Sequence, residues 1–248
     1  MRYVILSDIH ANLEALDAVI AHADRQGYDA VLVLGDLVGY GADPNAVVAR
    51  IQALGPVASV RGNHDKVAAG METADSFNMA ARRAVSWTSA ALTAESRTYL
   101  AGLPEGPLLV DDDVEVCHGA PSDEDKYLFE VVDAALALRD SRRPICFFGH
   151  THVQLVYELS DDNLLTMSTS DAASGRWLTL ERSSKYLVNP GSVGQPRDGD
   201  PRAAYALLDT ESHELMLFRV VYPVKAAQEK IREAGLPEIL AARLALGR

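Results

Sequence analysis

The chain has 248 residues, enough for one large α/β domain with a substantial core. Its 48% hydrophobic and 23% charged content exclude a chain that is disordered over most of its length. A formal charge of −12, from 23 Lys and Arg against 35 Asp and Glu, opposes non-specific binding to nucleic acid.

The chain opens directly on strand-like residues, Arg2-Tyr3-Val4-Ile5-Leu6, with no basic-then-apolar leader before them. Asn12 to about Gln26 carries Leu13, Leu16, Val19 and Ile20 at helical spacing, and Ala30–Leu34 reads as the next strand. Asp43-Pro44 places an N-cap before a proline at the first helical position, opening a helix to about Leu54. Val57–Val60 is a third strand, and the alanine-rich stretch from about Ser76 to Leu103 predicts two helices. Strands are expected near Leu108–Val110 and Val114–Cys117, a helix around Glu130–Arg139, and a strand at Ile145–Phe148. This alternation predicts a largely parallel sheet with helices packed on it.

From Val153 onward the texture changes. Val153–Leu159, Trp177–Leu180, Lys185–Val188, Ala203–Leu208 and Leu215–Val221 are read as succeeding one another with only short loops between them. They predict a second, more antiparallel sheet packed on the first, and a helical stretch from about Val224 to Leu246 closes the chain. No repeat or linker interrupts the sequence, so residues 1–248 are expected to form one domain. No apolar run approaches the roughly 18 residues of a membrane helix, and the expected location is the cytoplasm. The two cysteines, Cys117 and Cys146, each sit in an apolar strand-like run and are expected as buried reduced thiols.

The chemistry lies in the residues just beyond each strand. After Tyr3–Leu6 comes Ser7-Asp8-Ile9-His10, and after Val31–Leu34 comes Gly35-Asp36. After Val57–Val60 comes Arg61-Gly62-Asn63-His64-Asp65, after Val114–Cys117 comes His118-Gly119, and after Ile145–Phe148 comes Gly149-His150-Thr151-His152. Open α/β sheets bind ligands beyond the carboxyl ends of their strands, and five clusters of metal-ligand residue types fall at that edge. Five of the seven histidines belong to them; His22 and His213 lie elsewhere and read as surface or structural residues.

The order Asp-x-His, Gly-Asp, Gly-Asn-His-Asp, His-Gly, Gly-His-Thr-His resembles the calcineurin-like metallophosphoesterases over roughly residues 1–195. Gly35-Asp36-Leu37-Val38-Gly39-Tyr40-Gly41 and Asn189-Pro190-Gly191-Ser192-Val193-Gly194 are similar to small bacterial and archaeal phosphodiesterase-like members. The resemblance implies a four-layer αββα sandwich: two mixed β-sheets flanked by helices. It implies that Asp8, His10 and His152 hold one metal, that Asp36 bridges to a second, and that Asn63, His118 and His150 complete the ligands of that second metal. His64 would be the catalytic imidazole that ligates neither metal. The implied reaction is hydrolysis of a phosphodiester or small phosphomonoester by a hydroxide bridging two divalent transition metals.

Imidazole, carboxylate and amide oxygen donors together suit Mn, Fe or Zn and suit Ca²⁺ poorly. Two divalent ions outweigh two carboxylates and a bridging hydroxide by one formal charge, so a phosphate is attracted despite the acidic surface. The partner is then a small phosphate ester, with no membrane and no nucleic acid; analogy leaves room for a homo-oligomer.

Two positions depart from related patterns. Phosphoprotein phosphatases and diadenosine tetraphosphate hydrolases tend to carry an arginine where Tyr40 stands, and protein phosphatases carry a histidine-orienting aspartate at the position of Gly39. A phosphate-binding arginine and a partner for His64 must then come from elsewhere, which favours phosphodiesters or small monoesters over phosphoproteins and dinucleoside polyphosphates. Arg61 reads equally as a phosphate contact or a salt bridge, Arg197 as a pocket residue or a solvated turn, and Tyr40 as a pocket wall or loop packing. Asp65 is expected to orient neighbouring loops, Asp111-Asp112-Asp113 to form a solvated hairpin turn, and Asn189-Pro190-Gly191-Ser192 a tight turn near the metal edge. Some members of the superfamily are non-enzymatic scaffolds that typically lack the catalytic histidines, all of which are present here. A helical-bundle redox centre is disfavoured because no Glu-x-x-His pattern supplies its ligands.

Overall fold

The computed structural model describes residues 1–160, 163–167 and 177–248; residues 161–162 and 168–176 lie outside it. In chain order the elements are β1 (Arg2–Leu6), α1 (Leu13–Gln26), β2 (Ala30–Val33), α2 (Pro44–Leu54), β3 (Ala58–Ser59), α3 (Asn63–Ala69), α4 (Met79–Ala91) and α5 (Ala94–Ala101). Then come β4 (Leu108–Leu109), β5 (Val114–Val116), α6 (Val131–Asp140), β6 (Ile145–Phe147), β7 (Leu155–Ser160), β8 (Asn163–Met167) and β9 (Leu178–Thr179). The chain ends with β10 (Lys185–Asn189), β11 (Ala203–Asp209), β12 (Glu214–Val220), α7 (Val224–Glu233) and α8 (Glu238–Leu244).

Two mixed sheets pack face to face, in the orders β3-β2-β1-β11-β12-β9 and β4-β5-β6-β10-β7-β8. In the first, β1, β2 and β3 run parallel, and β11, β12 and β9 continue antiparallel from β1. In the second, β5, β6 and β10 run parallel, with antiparallel neighbours on both sides. The expected division into an early parallel sheet and a late antiparallel one is therefore corrected: each sheet takes strands from both halves of the chain. Apolar periodicity identifies a strand but carries no information on which distant strand it pairs with.

Side-chain alternation builds the layers. Tyr3 and Ile5 point between the sheets, where they meet Leu32, Val116, Phe147 and Val188. Val4 and Leu6 point the other way, onto α1, α2, α7 and α8 through residues such as Leu16, Val47, Ile231 and Leu240. The outer face of the second sheet, including Cys146 and Leu187, is covered by α6 through Ala134, Ala137 and Leu138. The four-layer arrangement is the one expected.

Local signals behave largely as read. Asn12 caps α1 by accepting from the backbone N–H of Ala15, at 3.1 Å. Pro44 starts α2 as expected, but Asp43 makes no side-chain cap; its carboxylate accepts from Lys230 Nζ at 2.7 Å, tying α2 to α7. The helical stretch expected from about Val224 to Leu246 is made of two helices, because Gly235 adopts φ 68° and Pro237 cannot continue a helical hydrogen-bond ladder. Asp111 Oδ1 accepts from the N–H groups of Asp113 and Val114, making the three aspartates the turn between β4 and β5. Among the described residues, no helix is long and apolar enough to cross a membrane.

Candidate metal centre

The loops after β1, β2, β3, β5 and β6 converge at one edge of the two sheets, where the strands end. Their backbone is held in an unusual state: Asp8, His10, Asp36, Tyr40, His150 and His152 all have positive φ, between 49° and 66°. Such conformations cost L-residues free energy, of order 1–3 kcal/mol each, and persist only where surrounding structure enforces them. Hydrogen bonds supply that enforcement. Asp8 and Asp36 lie on loops joined by Asp8 N–H to Gly35 O and His10 N–H to Asp36 O, at 3.1 and 2.9 Å. The turn after β10 closes over the first loop: Val193 N–H donates to Ser7 O and Ser192 Oγ to Asp8 O, at 3.0 and 2.7 Å.

Two buried clusters result, Asp8 with His10, Asp36 and His152, and Asp36 with His118 and His150, each with its donor atoms within 4.8 Å of one another. Asp36 belongs to both. Its Oδ2 lies 3.5 Å from His10 Nε2 and 3.6 Å from His118 Nε2. The Asp36 Oδ1 is occupied by the backbone N–H of His64 at 2.9 Å, and Asp8 accepts from Ser7 Oγ and from the His150 N–H.

The four imidazoles share one plan. His10 Nδ1 faces Val38 O at 3.1 Å, His118 Nδ1 faces Leu34 O at 2.7 Å, His152 Nδ1 faces Gln195 O at 2.6 Å and His150 Nε2 faces Asp125 O at 3.1 Å. A carbonyl oxygen only accepts, so each of these nitrogens carries the proton and the opposite nitrogen turns a lone pair into the site. Those lone pairs meet head to head, His10 Nε2 with His152 Nε2 and His118 Nε2 with His150 Nδ1, both at 3.1 Å. Two facing lone pairs repel unless a proton or a cation lies between or beside them. A proton is disfavoured: burial holds His10 and His152 well below the usual histidine range and lowers His150 to about 2. Burial likewise raises the Asp8 carboxyl to about 7 and pushes Asp36 up, with the nearby Asp65 adding to the rise. A dication reverses every one of these penalties at once.

Asn63 completes the test. Its Oδ1 is buried with no hydrogen-bond partner, as a ligand oxygen would be without its ion. Gly62 before it admits the close approach of the carboxylate: a Cβ at Gly62 would sit 2.1 Å from Asp36 Oδ1. The residues present therefore fit a centre of imidazole, carboxylate and amide oxygen donors.

The remaining residues sort by contact. The His64 ring packs against Tyr40, Phe77 and His10 at centroid distances of 4.4, 4.6 and 4.9 Å, and its Nδ1 is buried without a partner. Gly39 stands beside that nitrogen with φ 91°, and a Cβ there would lie 2.3 Å from it. Gly39→Ala is thus expected to lower stability by roughly 1–3 kcal/mol, read as a fall in the unfolding midpoint, by strain and by collision with the imidazole. Asp65 accepts from the N–H groups of Gly62 and Val38, the loop-orienting role expected of it. Arg61 is a salt-bridge residue, with contacts to Glu124 at 2.8 Å and Glu105 at 3.0 Å. Lys66, itself buried, sits among Glu72, Glu124 and Asp125 and pairs with all three, so this acidic group already holds a cation of the chain's own. His22 bonds the Tyr205 hydroxyl, and His213 lies near Asp113, both away from the centre.

A cavity of about 310 Å³ adjoins the centre, lined among others by Tyr40, Asn63, His64, Phe77, Tyr127 and His150. Tyr127 lies in the loop between β5 and α6, beyond the His118-Gly119 motif, and no motif singles it out. Its ring stacks on His150 with centroids 3.7 Å apart, and Phe129 stacks on it at 5.3 Å.

The model of the calcineurin-like phosphoesterase superfamily domain matches residues 1–213. The chain belongs to that superfamily. An uncharacterized protein of Methanocaldococcus jannaschii is 38% identical to it, over 98% of this chain and 97% of that one. Among solved structures, a metallophosphoesterase from Sphaerobacter thermophilus is 42% identical, covering 100% of this chain and 99% of its own at a TM-score of 0.86. A hypothetical protein from Pyrococcus horikoshii OT3 shares the fold at 20% identity and a TM-score of 0.78, covering 100% and 98%. As a calcineurin-like phosphoesterase, the chain is of a metal-dependent family that acts on phosphate esters, and its buried Asp and His clusters are where a metal could be held.

Proposed function

We propose that the protein is a cytoplasmic, single-domain dinuclear phosphoesterase that hydrolyses phosphodiesters or small phosphomonoesters. The observation that carries this reading is the position of Asp36 Oδ2 between two imidazole pairs whose free nitrogens face inward. Asp8, His10 and His152 would hold one ion, Asn63, His118 and His150 the other, and Asp36 both; Mn, Fe and Zn suit such donors. When bound, the ions supply positive charge for the phosphoryl oxygens and a water acidified enough to attack at neutral pH.

The protein's own groups do the rest. The backbone carbonyls of Val38, Leu34, Gln195 and Asp125 fix each ligand imidazole in the tautomer that ligation needs. His64 Nδ1 has no hydrogen-bond partner, so the proton resides on Nε2. Burial, with Arg197 nearby, holds His64 well below the usual range, so its neutral Nε2–H stabilises the transition state by a hydrogen bond to the leaving oxygen, which takes its proton from water. Tyr127, Phe77 and Tyr40 give the cavity aromatic walls, which accommodate a planar ester group.

The decisive experiment is turnover of bis-p-nitrophenyl phosphate and p-nitrophenyl phosphate by chelator-stripped protein, before and after Mn²⁺ is added. Activity is expected only after addition, together with about two bound equivalents by elemental analysis. Two tightly bound metals with no turnover on either ester would overturn the catalytic reading.

A further inference from the structure

Arg197 is out of place in its electrostatic surroundings. The chain carries a charge of −12, and partly buried cations such as Arg61, Lys66, Arg219 and Lys230 are ion-paired with carboxylates. Among the described residues, Arg197 has no carboxylate within salt-bridge distance. Its terminal nitrogen donates to two neutral oxygens, the Tyr40 hydroxyl at 3.2 Å and Gln195 Oε1 at 3.4 Å. Its Nε is buried and makes no hydrogen bond. A partly buried guanidinium with a donor unspent and no carboxylate in contact is costly to keep unless an anion visits it.

Its placement says which anion. The Arg197 backbone N–H donates to the carbonyl of His152 at 3.1 Å, and Gln195, two residues earlier, holds the His152 ring. The guanidinium lies over the Tyr40 ring, 5.8 Å from its centroid, and that ring packs on both His10 and His64.

We propose that Arg197, steadied by Tyr40, binds a non-bridging oxygen of the substrate phosphate and favours esters whose phosphate has three such oxygens. The proposal rests on the phosphoesterase reading above. A guanidinium grips paired phosphate oxygens through parallel N–H donors and cannot lose its charge at working pH. A monoester dianion keeps three free oxygens, so one remains for Arg197 when the others face the metal side. A diester has two and gains less from the same contact.

The test compares wild type with Arg197→Met, Arg197→Lys and Tyr40→Phe as full-length, Mn²⁺-loaded proteins. Inorganic phosphate binding is followed by calorimetry, and KM and kcat are measured for the two p-nitrophenyl esters. Arg197→Met is expected to weaken phosphate binding about 10- to 100-fold with metal content unchanged. Its KM for the monoester should rise several-fold more than its KM for the diester. Arg197→Lys should recover part of the phosphate affinity, and Tyr40→Phe should lose part of it, about threefold. Methylguanidinium is expected to restore monoester turnover to Arg197→Met, an effect that a merely structural role does not produce. Phosphate affinity within twofold of wild type in metal-replete Arg197→Met overturns the proposal. If wild type hydrolyses neither ester but binds phosphate in an Arg197-dependent way, the catalytic reading fails and the anion contact stands.

Discussion

Replacing Asp36 by asparagine is expected to abolish turnover, by about 10³-fold or more, through loss of metal rather than loss of fold. The asparagine Oδ1 can still accept from the His64 N–H, the 2.9 Å bond that anchors the loop. Its amide nitrogen would then face His10 Nε2 and His118 Nε2, the two lone pairs now 3.5 and 3.6 Å from Oδ2. A donor aimed at those lone pairs suits the empty pocket and repels a cation. Removing a carboxyl that burial pushes far above its usual range also removes a cost to folding. Elemental analysis should therefore show the bound metal falling below one equivalent, while the metal-stripped variant melts no lower than metal-stripped wild type. Full metal content in Asp36→Asn would mean that the carboxylate does not bridge.

His64→Ala has the complementary signature: kcat falls by about 10²–10⁴ while metal content and KM change little. The imidazole belongs to neither ligand cluster, and the backbone N–H that holds Asp36 survives the substitution. The ring is wedged between Tyr40 and Phe77, so truncation leaves a void; His64→Asn serves as a better-filled second variant. Steady-state kinetics beside elemental analysis separates the two outcomes. Loss of metal in both His64 variants would return this residue to the ligand set and leave the leaving group without its donor.

The centre was legible in the sequence for a geometric reason. A strand that is apolar along its length and ends in Asp or His delivers that residue to the carboxyl edge of its sheet, whichever sheet it joins. Asp8, Asp36, His118 and His150 needed only that one-dimensional fact. The partners that hold them were not legible, because the carbonyls of Val38, Leu34, Gln195 and Asp125 are backbone atoms with no residue signature. Arg61 and Arg197 looked alike as arginines beside motifs. Only tertiary contact separates the one paired with Glu124 from the one that faces the centre unpaired. Tyr127 was invisible for a similar reason, its place set by stacking on His150 from a loop without periodicity. The pairing of late strands with early ones depends on contacts about 200 residues apart, such as Ile5 with Ala206, which local patterning does not encode. The two cysteines are buried as expected, with sulfurs 3.8 Å apart.

The interleaving of the two sheets has a consequence for how the protein is made. β11 sits between β1 and β12, and β10 between β6 and β7, so neither sheet has its middle until the last quarter of the chain has emerged. A nascent chain leaving the ribosome exposes β1 and β6 as open edges, a state prone to mispairing and suited to chaperone protection. Asp8 and His10 are synthesised first, yet the Ser192, Val193 and Gln195 contacts that steady Asp8 and His152 come some 180 residues later. On the dinuclear reading, metal acquisition would wait for the Ser192–Gln195 turn to emerge, and the ions would act as a seal on completed folding rather than a seed for it.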